Sequence, residues 1–589
     1  MSTDSPSDTL TELLARAVDA HATRPAYGSL RGGRWKWISY QELAERVAVC
    51  RAALASLGVG RGDRVAIICE NRLEWVIAAH ATYQRRAIFV PMAEAQLESE
   101  WAYILADSGA KLCLTGSAAV TARVNALRED LLDLQHIVNL DGTERDPGSF
   151  AALCARSADR DIKARAPRPG DVASIIYTSG TTGEPKGVRL THHNLAANAH
   201  ALCSLREYGP DPRSMSFLPW AHVFGGHVEL NVMMLLGGAV AICESPDTLF
   251  NEMPHVQPTM IWAVPRIWNQ LYYDIQKALA DEPEMSRHMF DDGMYLMQRK
   301  RSGDALKLTE RMYLNIAQRL VISKVKARLG AQMRFAFSGA APLAREVAEF
   351  MHNIGLTIYE GYGLTESSGS TSTNPTDSPR FGSVGKPLPG TRIELDPDIE
   401  EAEQGEGELI IHGPGVMDGY HNNEAGTRTA LTADGGLRTG DLGRIDEDGY
   451  VWITGRVKEL YKLNSGRYVA PAPLEEKLKL SPFISHCMIY GVGQPYNVAL
   501  IVADLPSLES YFGRYDVPAE QLLSEPETRR LIESEIMKYS RDFRTYELVR
   551  NFWLVSEPFT RENGMLTPTL KIRRRTVLKK YEARLQSLY

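Results

Sequence analysis

Between two apolar extended runs, residues 174–177 and 188–191, lies a stretch rich in glycine and hydroxyl side chains: Tyr177-Thr-Ser-Gly-Thr-Thr-Gly-Glu-Pro-Lys-Gly187. It cannot continue as regular structure, because glycine loses the most backbone entropy on ordering and Pro185 lacks an N–H. A strand, a loop and a second strand follow from that pattern. In the loop, backbone N–H groups can approach an anion closely, hydroxyls add donors and Lys186 adds a point charge, which is the chemistry of a polyphosphate cradle. It is not a Walker A loop, which needs Gly before the Lys and Ser or Thr after it; Lys186 stands between Pro185 and Gly187.

The scaffold around this loop is read from periodicity. From Trp37 to Leu114 helix and strand patterns alternate: a helix over Tyr40 to Leu57, a buried strand over Arg64 to Cys69, a helix over Leu73 to Arg85. Apolar runs at Ser174 to Tyr177, Ala239 to Cys243 and Met260 to Ala263 repeat the rhythm, so a layered α/β domain with a large open sheet is expected. Near Leu409 short strands separated by Gly and Asp turns take over, as in Gly407 to His412 and Asp446 to Ile453, predicting a β-rich subdomain. After Arg456 a polar connection leads into mixed helix and strand. The expected organisation is a large domain over 1–456 and a smaller, mobile α+β domain over 457–589.

Composition narrows the function classes. With 66 basic and 73 acidic residues the net charge is -7, which gives no global attraction to nucleic acid. The seven cysteines are scattered, without the close pairs of zinc or redox motifs. Residues 1–20 lack a signal peptide's basic start and apolar run. The longest apolar stretch, Val232 to Cys243, has 12 residues, against about 20 for a spanning helix. A cytoplasmic protein is expected. Residues 299–328 are the local exception, with nine basic side chains against two acidic ones. That segment is read either as a solvated helix face or as a contact for membrane headgroups or an anionic cofactor.

The 177–187 loop resembles the phosphate-binding signature of the adenylate-forming superfamily, which includes acyl-CoA synthetases, luciferases and nonribosomal peptide adenylation domains. Further motifs of that family follow in order: Ser338-Gly-Ala-Ala-Pro-Leu343, Tyr359-Glu-Gly-Tyr-Gly-Leu-Thr-Glu366, Arg438-Thr-Gly-Asp441, Gly455-Arg-Val-Lys458 and Leu566-Thr-Pro-Thr-Leu-Lys571. The resemblance implies an ATP site. Thr178, Ser179, Gly180, Thr181, Thr182, Gly183 and Lys186 would hold phosphates. Gly339, Ala340, Ala341, Glu360, Gly361, Tyr362 and Gly363 would form the purine side, and Thr365 would contact the α-phosphate. Asp441 and Arg456 would hold ribose or phosphate, and Thr178 and Glu366 would hold Mg2+, a hard cation suited to oxygen ligands. It also implies that Lys571 enters from the C-terminal domain to bridge the substrate carboxylate and the α-phosphate. A cation there offsets the repulsion of two anions and the charge developing on phosphorus. Lys458 corresponds to the hinge. Lys462 and the loop carrying Gly466, Arg467 and Tyr468 correspond to the side where pantetheine enters and the thioester forms.

The run Ser216-Phe-Leu-Pro-Trp-Ala-His-Val-Phe224 resembles the family's aromatic motif and makes His222 the candidate beside the acid being activated. Val264-Pro-Arg-Ile-Trp268, the helical basic insertion before Arg334 and the Leu566 to Lys571 ending resemble the long-chain fatty acid branch. Trp220, Phe224, Gly225, Gly226 and Val264 are expected to line the acyl pocket. Some bacterial relatives carry a tryptophan gate where this chain has the two glycines, so either Trp220 or Phe224 stands in for it or the gate is absent. At about 0.8 kcal/mol per methylene, enclosing a 14-methylene tail would gain up to roughly 11 kcal/mol before ordering costs. The resulting expectation is an ATP- and Mg2+-dependent ligase that joins a medium- or long-chain fatty acid to CoA through an acyl-adenylate. A second reading passes the acyl group to an acyl carrier protein instead, and a third is a non-enzymatic nucleotide-binding or membrane-scaffold protein.

Overall fold

The periodic segments become elements close to their expected ends: a helix over Tyr40–Ser56, a strand over Arg64–Ile68, a helix over Leu73–Gln84, and strands over Val172–Thr178, Ala239–Ile242 and Met260–Ala263. The computed structural model describes residues 8–178, 184–319, 330, 332–399, 405–561, 563–567 and 571–589. Local chemistry explains the helix ends. Ser39 caps Tyr40–Ser56 in a reciprocal box, its hydroxyl accepting the Glu42 N–H while the Glu42 carboxylate accepts its own. Tyr40, Leu43, Val47, Cys50 and Leu54 then fall on one buried face.

The described chain forms two compact units, the first comprising residues up to Thr178, Pro185–Ile393 and Ile411–Arg438, the second Glu394–Ile410 and Thr439–Tyr589. In the first, a seven-stranded sheet runs in the order Gly419–Tyr420, Lys186–Thr191, Val172–Thr178, Ile88–Met92, Arg64–Ile68, Ala110–Thr115, His136–Asn139. A nine-stranded sheet has a parallel centre, with Thr357–Tyr362, Phe335–Ser338, Met260–Ala263, Arg213–Ser216, Ala239–Ile242 and Pro25–Arg31 side by side. Between the sheets lies Leu73–Gln84, buried almost all round. Its Trp75 meets Phe89 of one sheet at 5.0 Å between centroids and Trp220, just past a strand of the other, at 5.6 Å.

In the second unit, Ile484–Tyr490, Asn497–Ala503 and Val549–Val555 form a three-stranded sheet with the first strand on one edge. One core places Leu474, Leu478, Ile532 and Ile536 against it, and a second places Val577 and Leu585 of the last helix against Met488, Leu500 and Val502. The strands Leu437–Ile445 and Val451–Arg456 pair antiparallel through the turn at Asp446–Gly449. The expected domain boundary at 456 and the hinge at Lys458 remain proposals; residues 439–456 pack with the second unit. The basic segment begins on two helices, Glu284–Arg301 and Leu308–Ala317, while 320–329 lie outside the described residues. Among the described residues no helix is long and apolar enough to cross a membrane. All seven cysteines are free thiols, five of them buried.

Candidate active site

In open sheets of parallel strands, ligand-binding residues gather past the carboxyl ends of the strands. Here Arg213–Ser216, Met260–Ala263, Phe335–Ser338 and Thr357–Tyr362 end at one edge, with Ala263 opposite Ser338 and Ser338 opposite Glu360. They deliver Phe217 to His222, Val264, Gly339 to Ala341 and Tyr362 to Thr365 to that edge. A Cβ on Gly339 would meet the Phe224 ring at 3.4 Å and the Gly361 carbonyl at 3.6 Å, so two expected purine-side glycines and one expected acyl-side aromatic share a wall. Gly363 is required by close approach, since a Cβ there would lie 2.5 Å from the Gly369 carbonyl. Ala340 holds φ +70°, a left-handed conformation costly for a residue with a side chain.

Glu360, expected on the nucleotide side, turns its carboxyl into the interior. It is 4% exposed, its carboxyl takes the Gly382 N–H at 2.9 Å and the Leu343 N–H, and its carbonyl accepts the Asn374 N–H at 2.9 Å. Burial pushes the acid up to about 7, against those two N–H groups. The side chain ties neighbouring loops together.

At the phosphate loop, Thr178 and Lys186 are paired across the hairpin, while Ser179, Gly180, Thr181, Thr182 and Gly183 lie outside the described residues. Lys186 Nζ sits 4.8 Å from the Tyr420 ring centroid, and the Tyr420 hydroxyl donates to Glu366 Oε1 at 2.8 Å. Burial and then the Glu366 charge push the phenol's pKa up, so it stays a donor. Glu366 sits on the turn Thr365–Ser367, where its carbonyl accepts the Met417 N–H at 2.8 Å. Tyr420 was not legible in the sequence. It arrives on a two-residue strand paired with Val188, too short for any periodic signal. Among the described residues no three acidic, histidine or cysteine side chains converge as a metal site. A half-buried carboxylate and one threonine hydroxyl suit Mg2+, which keeps waters and takes phosphate oxygens for its remaining positions.

On the acyl side, His222 is half-buried, its N–H donating to the Pro219 carbonyl at 3.1 Å and its carbonyl accepting the Gly226 N–H at 2.8 Å. One expectation is corrected here. Trp220 is no gate: it is 1% exposed, its indole N–H donates to Ser216 Oγ at 2.8 Å, and its ring meets Tyr27 and Trp75. Gly225 and Gly226 are close-packed on the side where a Cβ would stand. They sit in a π-helical turn, Phe224–Glu229, pressed onto the preceding backbone; a Cβ would lie 2.9 Å from the Leu218 and Pro219 carbonyls at Gly225 and 2.1 Å from the Trp220 carbonyl at Gly226. Below them Ser214 and Ser216 each donate to Glu229 at 2.8 Å, and burial pushes that acid up to about 7.

The second unit carries the remaining residues. Asp441 is buried and opposite Arg456 in the strand pair, with Arg456 Nε 2.9 Å from its Oδ1. Gly440, at φ +70°, donates to Glu408 at 2.9 Å, and Thr439 Oγ1 accepts the Asp441 N–H at 3.0 Å, so the backbone around Asp441 is held on both sides. Lys571 closes a loop whose ends are tied by Thr567 N–H to the Lys571 carbonyl at 2.8 Å and Lys571 N–H to Thr567 Oγ1 at 3.0 Å; 568–570 lie outside the described residues. Desolvation and, next, the Arg456 guanidinium hold the ammonium below the usual lysine range, against the pull of Asp441, Glu459 and Glu476, although the residue as a whole is exposed. Lys458 is exposed on the turn Val457–Glu459. Lys462 Nζ lies 4.9 Å from the Tyr468 ring, Gly466 turns at φ +83°, and Arg467 stands 5.7 Å from the Tyr546 ring.

The chain matches the AMP-binding enzyme family over residues 14–421 and the AMP-binding enzyme C-terminal domain over residues 459–589. It is 32% identical to the long-chain-fatty-acid–CoA ligase FadD15 of Mycobacterium tuberculosis, over 96% of this chain and 94% of that one. It is 29% identical to human long-chain-fatty-acid–CoA ligase 1, over 99% and 86%. The adenylation domain of a carboxylate reductase from Mycobacterium chelonae superposes with TM-score 0.79 at 22% identity, covering 100% of this chain and 92% of that one. ATP-bound MatB from Rhodopseudomonas palustris gives 0.72 at 24%, covering 98% and 99%. These structures share the α/β fold with its smaller C-terminal portion. The chain therefore belongs to the AMP-binding, adenylate-forming enzyme family and resembles its long-chain acyl-CoA synthetases.

Proposed function

We propose that the protein is an ATP-dependent fatty acid–CoA ligase that works in two steps. A carboxylate oxygen attacks the α-phosphorus of ATP, the bond to the β-phosphate breaks, and pyrophosphate leaves. The CoA thiolate then attacks the acyl carbonyl, the carbon–oxygen bond to AMP breaks, and acyl-CoA and AMP result. The observation that carries this reading is the 32% identity to a long-chain-fatty-acid–CoA ligase over 96% of this chain, together with the buried Asp441 held against Arg456 in the second unit that also carries Lys571. A carboxylate suited to accept ribose hydroxyls and a cation for the reacting anions thus lie in one unit.

Other residues take roles consistent with their positions. Tyr362 stacks on adenine at the strand edge, Thr365 meets the α-phosphate, and Lys186, braced over Tyr420, meets the outer phosphates. Thr178 and Glu366 would hold Mg2+, which when bound would neutralise phosphate charge. Tyr420 orients the Glu366 carboxylate. His222 and Phe224 meet the acid's head. Rotation at Lys458 then exchanges Lys571 for Lys462 and the Gly466, Arg467, Tyr468 loop, so one site serves both steps. The chain's long-chain relatives support a medium- or long-chain acid and CoA as acceptor.

The test is acid-dependent pyrophosphate release across chain lengths from acetate to oleate, with and without CoA. Turnover that needs a long-chain acid and CoA is expected. Adenylation indifferent to CoA would favour an acyl carrier protein as acceptor.

The same reading includes a peripheral lipid contact. On the helix Leu308–Ala317, Leu308, Met312 and Ile316 are 76, 60 and 47% exposed at four-residue spacing, so they form one apolar stripe, with Lys307 and Arg311 beside it. An apolar stripe with a basic flank suits an anionic bilayer, the reservoir into which fatty acids partition. Wild-type co-sedimentation with phosphatidylglycerol vesicles at low salt is expected, and its loss in the triple serine variant of these three residues. Equal recovery of both with vesicles contradicts the contact.

A further inference from the structure

Arg574 opens the last helix, Arg574–Gln586, three residues after Lys571. The run Arg573, Arg574, Arg575 reads from the sequence as a solvated basic edge, yet Arg574 turns inward. Its Nη2 pairs with the Glu475 carboxylate, Nη1 donates to the Ile489 carbonyl at 3.2 Å, and Nε faces Glu459 at 3.9 Å. The second Glu475 oxygen accepts the Ile489 N–H at 2.6 Å, so one ion pair meets both backbone polar groups of a residue on the edge strand Ile484–Tyr490. Glu475 lies on the helix Pro471–Leu478 and is buried; Glu459 ends the turn that carries Lys458.

Four segments therefore meet on a single guanidinium: the turn after the second strand of the Asp441–Arg456 pair, a helix, a sheet edge and the arm that carries Lys571. A guanidinium suits this junction because its planar fork addresses several acceptors at fixed angles, which an ammonium on a flexible stem does not. The arm itself is short, closed at its base by the Leu566–Ile572 bridge and the Thr567–Lys571 hydrogen bonds. Its far end is Arg574.

We propose that Arg574 is the positioning residue of Lys571, and that its contact with Glu459 ties the lysine arm to the turn at Lys458. The reaction served rests on the function proposed above; the clamp itself is a property of the second unit. Glu459 also favours the charged form of Lys571, against desolvation and Arg456. Movement of the 457–459 turn would draw Glu459 away from Arg574 and weaken the hold on the lysine arm, linking the arm to the backbone rotation.

The experiment uses the ligand-free full chain, labelled with trace acetic anhydride between pH 7 and 11, with Lys571 acetylation read by peptide mass spectrometry. In Glu459→Gln, loss of a negative neighbour that favours the ammonium moves the labelling midpoint down by about 0.5 pH unit. In Arg574→Lys, which keeps the charge and loses the fork, Lys571 labels roughly threefold faster at its midpoint than in wild type. Pyrophosphate release in both falls about tenfold in kcat with KM for ATP within about twofold, and Glu459→Asp restores most of it. Lys571 labelling unchanged in both variants overturns the proposal, and Glu459→Gln decides it alone where Arg574→Lys does not fold. Shifted labelling in the variants, alongside a wild type that releases no pyrophosphate, supports the clamp and contradicts the proposed reaction.

Discussion

The two units hold their functional side chains in opposite ways. At the strand edge of the first, polar groups are locked from beneath: Glu229 under two serines, Glu360 under backbone N–H groups, Glu366 on Tyr420. In the second, Lys571 is carried on an exposed arm steered by neighbouring charges and fastened at its two ends. The difference teaches where each kind of damage should appear. Substitutions of the fully buried groups beneath the strand edge, Trp220, Glu229 and Glu360, act first on stability, because they create voids or unsatisfied groups in a packed interior. Substitutions on the arm act first on rate, because little packing is lost.

The sharpest way to break this contrast is to truncate one residue on each side. Trp220→Ala removes a core indole and should cost roughly 3–5 kcal/mol of stability in urea or thermal unfolding, with acyl-chain preference unchanged. Unaltered stability with a changed chain preference would restore the gate and undo the packing account. Lys571→Ala should unfold like wild type and lose adenylation by about 100- to 1,000-fold, or roughly 3–4 kcal/mol. It should still form thioester from synthetic acyl-adenylate and CoA. Comparable loss in both half-reactions would mean that the arm is structural.

The pH dependence of stability sharpens the comparison further. Glu229 and Glu360 are raised by burial from 4.5 to about 7. Their folded-state values lie above the unfolded ones, so the folded protein binds more protons between those limits. Stability therefore falls as pH rises from about 4.5 through 7, by on the order of 1–3 kcal/mol per group, and is flat above. Urea midpoints of Glu229→Gln should be flatter across that window than those of wild type. The smallest effect is expected from Tyr420→Phe, which deletes one hydrogen bond to a carboxylate and keeps the ring under Lys186. A loss of about 1.5 kcal/mol, or roughly tenfold in kcat/KM at limiting Mg2+, should shrink as Mg2+ is raised. A loss independent of Mg2+ would detach Tyr420 from the Glu366 role.

Much of the scaffold was legible because it is local. The helix over Tyr40–Ser56 and the strand over Arg64–Ile68 follow from period and capping within a few residues. The pairing of Thr178 with Lys186 follows from the hairpin that the glycine-rich loop requires. What the sequence could not carry are choices made by distant chain. Whether Trp220 faces a tunnel or a core depends on Trp75, some 145 residues upstream, and on Ser216 beneath it. Nor does the string show that Gly225 and Gly226 are packing devices, which they become once a π-helical turn presses them on residues 218–220. Arg574 is a further case: three arginines in a row look solvated, and the buried Glu475 that selects the middle one lies 99 residues away.

The most direct test of the two-step account is a single-turnover experiment: wild-type protein in excess over ATP with Mg2+ and a long-chain acid, quenched and analysed for acyl-AMP, then chased with CoA. The expected result is acyl-AMP held on the protein without CoA and converted to acyl-CoA and AMP within one turnover when CoA is added. An acyl-AMP that persists through the chase, or its absence with every acid tried, would contradict the ligase.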